Sequence, residues 1–121
     1  IDNLLRSVKS GGSALISMHM TRGPVDALVR YRRSDGEGIQ EWETGWNMYS
    51  RETIERIFRE SDYHLSWSWH EFVIPIDLPP QDDAMRCWTM PVGDRKRQLV
   101  NGAGQIVDMW FARVRVEQSL D

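Results

Sequence analysis

The chain has 121 residues, of which 40% are hydrophobic and 27% charged, and its formal net charge is −3 at pH 7. This length and composition predict one globular domain, or part of one, over residues 1–121, and the acidic balance argues against a nucleic-acid partner. No segment has the apolar length of a transmembrane helix, so we expect no membrane partner. A single cysteine, Cys87, excludes an intramolecular disulfide, and no signal-peptide pattern is present. These features favour a cytoplasmic location.

The first elements are predicted to be a helix followed by a buried strand. Residues 2–10 place aliphatic side chains on one helical face, and Asp2 is positioned to cap the helix. Gly11–Gly12 is expected to end the helix, because glycine readily takes the left-handed conformation there. Residues 13–20 form an almost continuous apolar run, which is typical of a strand covered on both faces.

A hairpin and a second helix are predicted next. Gly23-Pro24 ends the first strand, and residues 26–33 and 38–44 flank a predicted turn. Ser50 is a favourable N-cap for a helix over residues 51–60, which carries an apolar stripe.

The remainder is predicted to be extended. Residues 64–76 alternate in polarity, with a change of phase near His70–Glu71 that indicates a bulge or bend. Tight turns are predicted at Gly93–Asp94 and at Asn101–Gly102, the latter with two positive φ angles. The strands that these turns separate are predicted at 85–92, 95–100 and 105–116.

The stretch from Leu4 to Ser17 resembles the late motif of class I S-adenosylmethionine-dependent methyltransferases. That motif carries Leu-Lys-Pro-Gly-Gly before an apolar strand, whereas here Val8 stands for the leucine and Ser10 for the proline. In the family, a variable insertion, a helix, a sixth strand and an antiparallel seventh strand follow. This chain is similar in that order, with its insertion at 21–49, and the Trp/Tyr-rich segment before the second helix resembles bacterial members.

Hairpin signals outnumber βαβ signals in this chain and favour an antiparallel sheet, and the resemblance implies which part of a known fold the chain corresponds to. We expect an α+β fold with a mostly antiparallel sheet and two main helices, corresponding to the C-terminal half of a Rossmann-like methyltransferase. The family's glycine-rich cofactor loop is missing, because Gly36-Glu37-Gly38 lacks a third glycine and lies in a predicted turn. No cofactor-binding residue is therefore assigned, and S-adenosylmethionine is expected to bind in the intact parent enzyme but not tightly to this chain.

The expected function is to contribute the acceptor-substrate side of the methyltransferase cleft. The acceptor would be a small molecule or sugar-like compound, and the chain alone is expected to be inactive. His19 ends the first buried strand, where open α/β sheets bind ligands, and it is the candidate general base. The ordinary alternative is a histidine satisfied by a backbone group. Candidate substrate-binding residues are Arg22, Trp42, Trp46, Asn47 and Tyr49.

Other interpretations stay open at this point. The aromatic residues of the insertion could simply pack it against the sheet, and Arg22 and Asn47 could be solvated. His64 and His70 share a strand face and could bind a metal only with a third ligand from elsewhere, such as Cys87, so no metal site is expected. The chain could instead be a non-catalytic binding or self-association module that forms homo-oligomers through an exposed edge of its first strand. A free-standing carbohydrate binder with an aromatic ligand surface is the third interpretation.

Overall fold

The computed structural model describes residues 1–94 and 96–117. They form two short helices and seven strands, all joined by turns and loops. The elements are α1 (Asp2–Ser7), β1 (Ser13–Met20), β2 (Ala27–Tyr31), β3 (Glu43–Met48), α2 (Arg51–Arg59), β4 (Leu65–Glu71), β5 (Cys87–Val92), β6 (Lys96–Asn101) and β7 (Ile106–Val116).

The long strand β7 organises the five-stranded main sheet. It pairs antiparallel with β1 on one side, where Ser13 lies opposite Arg115, and with β4, where Leu65 lies opposite Val116. Because both neighbours run antiparallel to β7, β1 and β4 run parallel to each other with β7 between them. The start of β7 pairs with β6, and β6 pairs with β5. Strands β2 and β3 form a separate hairpin.

The core lies between the main sheet and the two helices. Alternate residues of β7 face inward, and Ala112 and Val114 are completely buried. Helix α2 turns Ile54 and Phe58 onto this face, since the two side chains lie four residues apart on one helical stripe. Leu5 of α1 completes the cluster. The opposite face of the sheet carries exposed and half-buried side chains, both polar and apolar, among them Leu15, Phe111 and Arg113.

The predicted correspondence to the C-terminal half of a Rossmann-like methyltransferase fold, with two main helices, is wrong. The chain is mostly antiparallel sheet, with 43% strand and 13% helix. The helix predicted over 2–10 stops at Ser7, because Val8 takes an extended conformation with ψ 126° and a turn occupies the next residues. Asp2 does not cap it; the N-cap is Ile1, without a side-chain hydrogen bond.

The cap of α2 connects the insertion to the core. Ser50 Oγ accepts a hydrogen bond from the Thr53 N–H at 3.2 Å, which confirms the predicted N-cap. The Asp26 carboxylate accepts hydrogen bonds from the Ser50 N–H and from the Thr53 hydroxyl, both at 2.8 Å. The Ser50 N–H and then the Thr53 hydroxyl hold the pKa of Asp26 below its usual range.

Replacing Asp26 with Asn should reduce the stability of the chain at neutral pH. A lowered pKa in the folded state means that the ionised carboxylate stabilises the fold above its unfolded-state pKa. That contribution disappears as the pH falls through the folded-state pKa. We expect the midpoint of thermal unfolding of D26N to lie below that of the wild type at pH 7, with the difference closing as the pH falls below the usual pKa range of aspartate. The control is D62N, at an exposed carboxylate; a pH-independent D26N difference would contradict the assignment.

The predicted strand 64–76 and the predicted turn at Asn101–Gly102 also differ from the structure. Strand β4 ends at Glu71, where the alternation changes phase, although the Phe72 N–H still donates to Met109 O at 3.0 Å. In the β6–β7 connection the positive φ of 74° belongs to Gly104. Asn101 is buried, and its side-chain oxygen accepts hydrogen bonds from the backbone N–H groups of Ala103 and Gln105.

Gly102 is required for a close approach of two loops rather than for its φ angle. A Cβ atom there would lie 2.6 Å from the Cβ atom of Ala84 and 2.7 Å from its carbonyl oxygen. We expect G102A to lose about 1–3 kcal/mol of unfolding free energy, because rigid backbone must shift. Chemical denaturation would measure this loss. The control G23A adds a Cβ with no atom within 4 Å, and an equal loss in both variants would refute the close approach.

Within residues 1–94 and 96–117, we find no helix with both the length and the apolar character that crossing a membrane requires.

Candidate functional site

A cavity of about 480 Å³ opens where β1 and β4 end. We call it the edge pocket. The ends of these two parallel strands, the first turn of α2 and the beginning of β7 meet there, because β7 runs antiparallel between the strands. Its lining is formed by residues 20–23, Arg51, Glu52, Glu71, Gln98, Asp108 and Trp110.

An ion pair closes one side of the edge pocket. The Arg22 Nε atom lies 2.5 Å from Asp108 Oδ2, and its Nη2 atom donates to Gln98 at 2.7 Å and approaches Asp108 Oδ1 at 3.3 Å. Gln98 Nε2 also donates to Asp108, at 3.1 Å. Burial raises the pKa of Asp108, but the hydrogen bonds from Arg22 and Gln98 and the charge of Arg22 outweigh it, so the pKa is lowered. Asp108 therefore stays ionised and is a poor proton acceptor.

Arg51 forms the opposite wall together with two indole rings. Its guanidinium carbon lies 4.8 Å from the ring centre of Trp110 and 5.1 Å from that of Trp69. The Trp69 ring is itself fixed, since its N–H donates to Glu55 at 2.9 Å. Cation–π contacts of this kind hold a guanidinium in place while leaving its N–H groups available.

Two carboxylates complete the lining. Glu52 lies in the first turn of α2, where the helix dipole favours a negative charge, and Glu71 is the last residue of β4. Neither side chain is in an ion pair or a hydrogen bond within the described part of the chain. Both can accept hydrogen bonds from a ligand, or a proton from it.

The candidate base His19 lies on the opposite face of the sheet. Met20 pairs with Asp108, whose side chain lines the pocket, whereas His19 pairs with Met109. Because successive side chains of a strand point to opposite faces, His19 points away from the pocket. Its Nε2 atom is 3.4 Å from Ile106 O. The buried Nδ1 atom has no hydrogen-bond partner among the residues described.

The candidate substrate-binding residues are distributed over three places. Arg22 lines the edge pocket. Asn47 and Tyr49 line a separate cavity of about 320 Å³ at the base of the β2–β3 hairpin. Trp42 is 53% exposed, with the Arg32 guanidinium 4.8 Å from its ring centre, and Trp46 packs on Tyr31 at 6.5 Å between ring centres. The structure thus brings Asn47 and Tyr49 together but not the whole set.

Sequence reasoning missed most of the edge pocket. Arg51, Glu52, Glu71, Gln98 and Asp108 were not among the candidates. One signal was available at Asp108, which occupies the inward phase of β7 shared by Trp110 and Ala112. A charged residue at an inward position of an otherwise apolar strand needs a partner, and this requirement points to a polar site.

No group of three or more residues that could hold a metal ion is found in the described ranges, 1–94 and 96–117. Comparison of the chain with protein family models, with curated proteins and with solved structures gives no match in any of the three.

Proposed function

We propose that this chain supplies the acceptor-substrate side of an S-adenosylmethionine-dependent methyl-transfer site, with the acceptor in the edge pocket. The observation that carries the proposal is the position of this pocket at the carboxyl ends of two parallel strands, β1 and β4. In open α/β sheets, ligands bind beyond the carboxyl ends of the strands. In this antiparallel sheet the carboxyl ends of β1 and β4 also meet the first turn of α2, around the edge pocket. The parallel relation of β1 and β4 follows from their pairing with β7.

The likeness of Leu4–Ser17 to the late motif of class I methyltransferases also supports this proposal. In the structure this stretch runs from α1 through the Gly-Gly turn into β1, the strand that leads to the edge pocket.

The described residues do not fit a site for the methyl donor. Gly36 and Gly38 lie in an exposed bend between β2 and β3, not between a strand and a helix. The side chains of Arg22 and Gln98 already donate hydrogen bonds to the Asp108 carboxylate. The proposal therefore assigns only acceptor binding and proton removal to this chain, and we expect S-adenosylmethionine to bind it weakly.

Proton removal falls to a carboxylate in this proposal. Methyl transfer to oxygen or nitrogen needs the acceptor held in line and a base within hydrogen-bond reach of its proton. Glu71 lines the edge pocket, whereas His19 lies on the other face of the sheet. Glu71 is thus the proposed proton acceptor, and Arg51 orients the acceptor molecule.

The gene upstream of the codon for Ile1 tests the proposal. A glycine-rich strand–turn–helix encoded within about 120 residues upstream is expected, given the usual size of such a domain. The 121-residue chain should show no tight binding of S-adenosylmethionine in a calorimetric titration. The proposal would be contradicted by an upstream reading frame that does not encode this motif. Micromolar binding of S-adenosylmethionine to this chain alone would also contradict it. The cytoplasmic location belongs to the same proposal.

The open edge of β1 favours a second candidate, self-association. Apart from its pairing with β7, the only pairing of β1 among the described residues is one bridge from Met20 to Tyr49. Its eight residues include no Lys, Arg, Asp, Glu or Pro, and Leu15 is 64% exposed. Such an unprotected edge pairs readily with another strand. Light scattering decides: a concentration-dependent dimer supports this candidate, and a monomer at high concentration removes it.

A further inference from the structure

The edge pocket offers one guanidinium group that is not neutralised by a partner. The charge of Arg22 is already balanced by Asp108, and its N–H groups are shared between Asp108 and Gln98. Arg51, in contrast, donates no side-chain hydrogen bond and forms no ion pair within residues 1–94 and 96–117. Its guanidinium lies against the rings of Trp69 and Trp110, so within the described ranges it can donate to a ligand without breaking an existing hydrogen bond.

The pocket also contains hydrogen-bond acceptors, in the form of carboxylate side chains. The lining contains two guanidinium groups, from Arg22 and Arg51, and three carboxylates, from Glu52, Glu71 and Asp108. A phosphate or carboxylate ligand would meet an excess of negative charge, and like charges brought together cost binding energy. A ligand rich in hydroxyl groups can instead accept from Arg51 and donate to Glu52 and Glu71.

We infer that the edge pocket binds a neutral polyhydroxylated compound of about monosaccharide size, with Arg51 as donor and Glu52 and Glu71 as acceptors. The inference rests on the proposed function, because it names the chemical class of the methyl acceptor at that same site. The volume of about 480 Å³ lies in the range of small-molecule sites. Met20 and Trp110 supply the apolar part of the wall, which suits the C–H groups of a sugar ring.

Titration of the 121-residue chain followed by NMR tests this inference. The probes are methyl glycosides of the common aldohexoses and deoxyhexoses, together with glucuronate and glucose 6-phosphate. We expect at least one neutral glycoside, at millimolar concentration, to shift the indole N–H signal of Trp110 and leave that of Trp42, which does not line the pocket, unchanged. The two charged sugars should bind more weakly. Tighter binding of the charged sugars, or no shift of Trp110 with any neutral glycoside, would overturn the inference.

Two test variants and one control variant show which side chains contact the ligand. R51M should weaken binding of the neutral glycoside by at least about 10-fold, because a hydrogen bond from a charged donor is lost. R56M is the matched control on the same helix, outside the pocket lining, and should bind like the wild type. The double variant E52Q/E71Q should improve the binding of glucuronate relative to the neutral glycoside. An R51M protein that binds as well as R56M contradicts the assignment; if R51M does not fold, the charge preference of E52Q/E71Q decides alone.

The outcomes separate this inference from the function on which it rests. If a neutral glycoside binds here and the longer protein transfers no methyl group, the proposed function fails and the ligand class stands. If the longer protein methylates only compounds without hydroxyl-rich rings, the ligand class fails and the function stands.

Discussion

Replacing Phe58 with Ala should lower the unfolding free energy by about 3–5 kcal/mol. Phe58 is 1% exposed and is among the largest fully buried side chains. The centre of its ring lies 5.3 Å from the ring centre of Trp67 and 6.5 Å from that of Trp69. Removing it leaves a cavity between α2 and the sheet, and two large indoles cannot move enough to fill it. Urea unfolding followed by tryptophan fluorescence measures the loss.

The neighbouring residue of α2 provides the control for Phe58. Ile57 is 38% exposed, so I57A removes a large side chain from the same helix with much less loss of buried area. We expect I57A to cost clearly less than F58A. Equal losses would mean that α2 does not pack on the sheet through the face described.

The second large effect is expected at Leu5. It is fully buried by the sheet and α2, whereas the adjacent Leu4 is 41% exposed. L5A should therefore cost about 2–5 kcal/mol, and L4A much less. Differential scanning calorimetry on the two variants makes the comparison with the same change of residue type. If L4A were the more damaging variant, helix α1 would present a different face to the core.

Local signals predicted the elements that depend on neighbouring residues. Strand β1 has the predicted bounds, and the N-cap of α2 is Ser50, because an apolar run and a capping hydroxyl act over a few residues. Gly93 takes a positive φ of 59° at the predicted turn. The length of α1 was overestimated because the extended Val8 ends the helix before the Gly-Gly turn.

The site was less predictable because it depends on distant pairing. Arg22 and Asp108 are 86 positions apart in the chain, and they meet only through the register of β1 on β7. The same register places His19 opposite Met109, on the face away from the edge pocket. Sequence alternation could show that His19 and Met20 face opposite ways, but not which face holds the pocket.

The Gly-Gly turn and the edge pocket stand at opposite ends of β1. The Gly11 N–H donates a hydrogen bond to Val116 O, and Gly12 O accepts one from the Val116 N–H. These two bonds fix the start of β1 beside the end of β7. This register carries through the strand and brings Met20 opposite Asp108. The motif that suggested a methyltransferase therefore also positions the residues proposed to bind the acceptor.

The central claim is that the edge pocket is the acceptor side of a methyl-transfer site. Its most direct test joins this chain to the segment encoded immediately upstream and measures transfer of a radiolabelled methyl group from S-adenosylmethionine to the methyl glycosides. We predict transfer by the wild type and a reduction in kcat/KM of at least about 10-fold in R51M, with R56M unchanged. No transfer to any neutral acceptor, or transfer that R51M and E71Q leave unaltered, would contradict it.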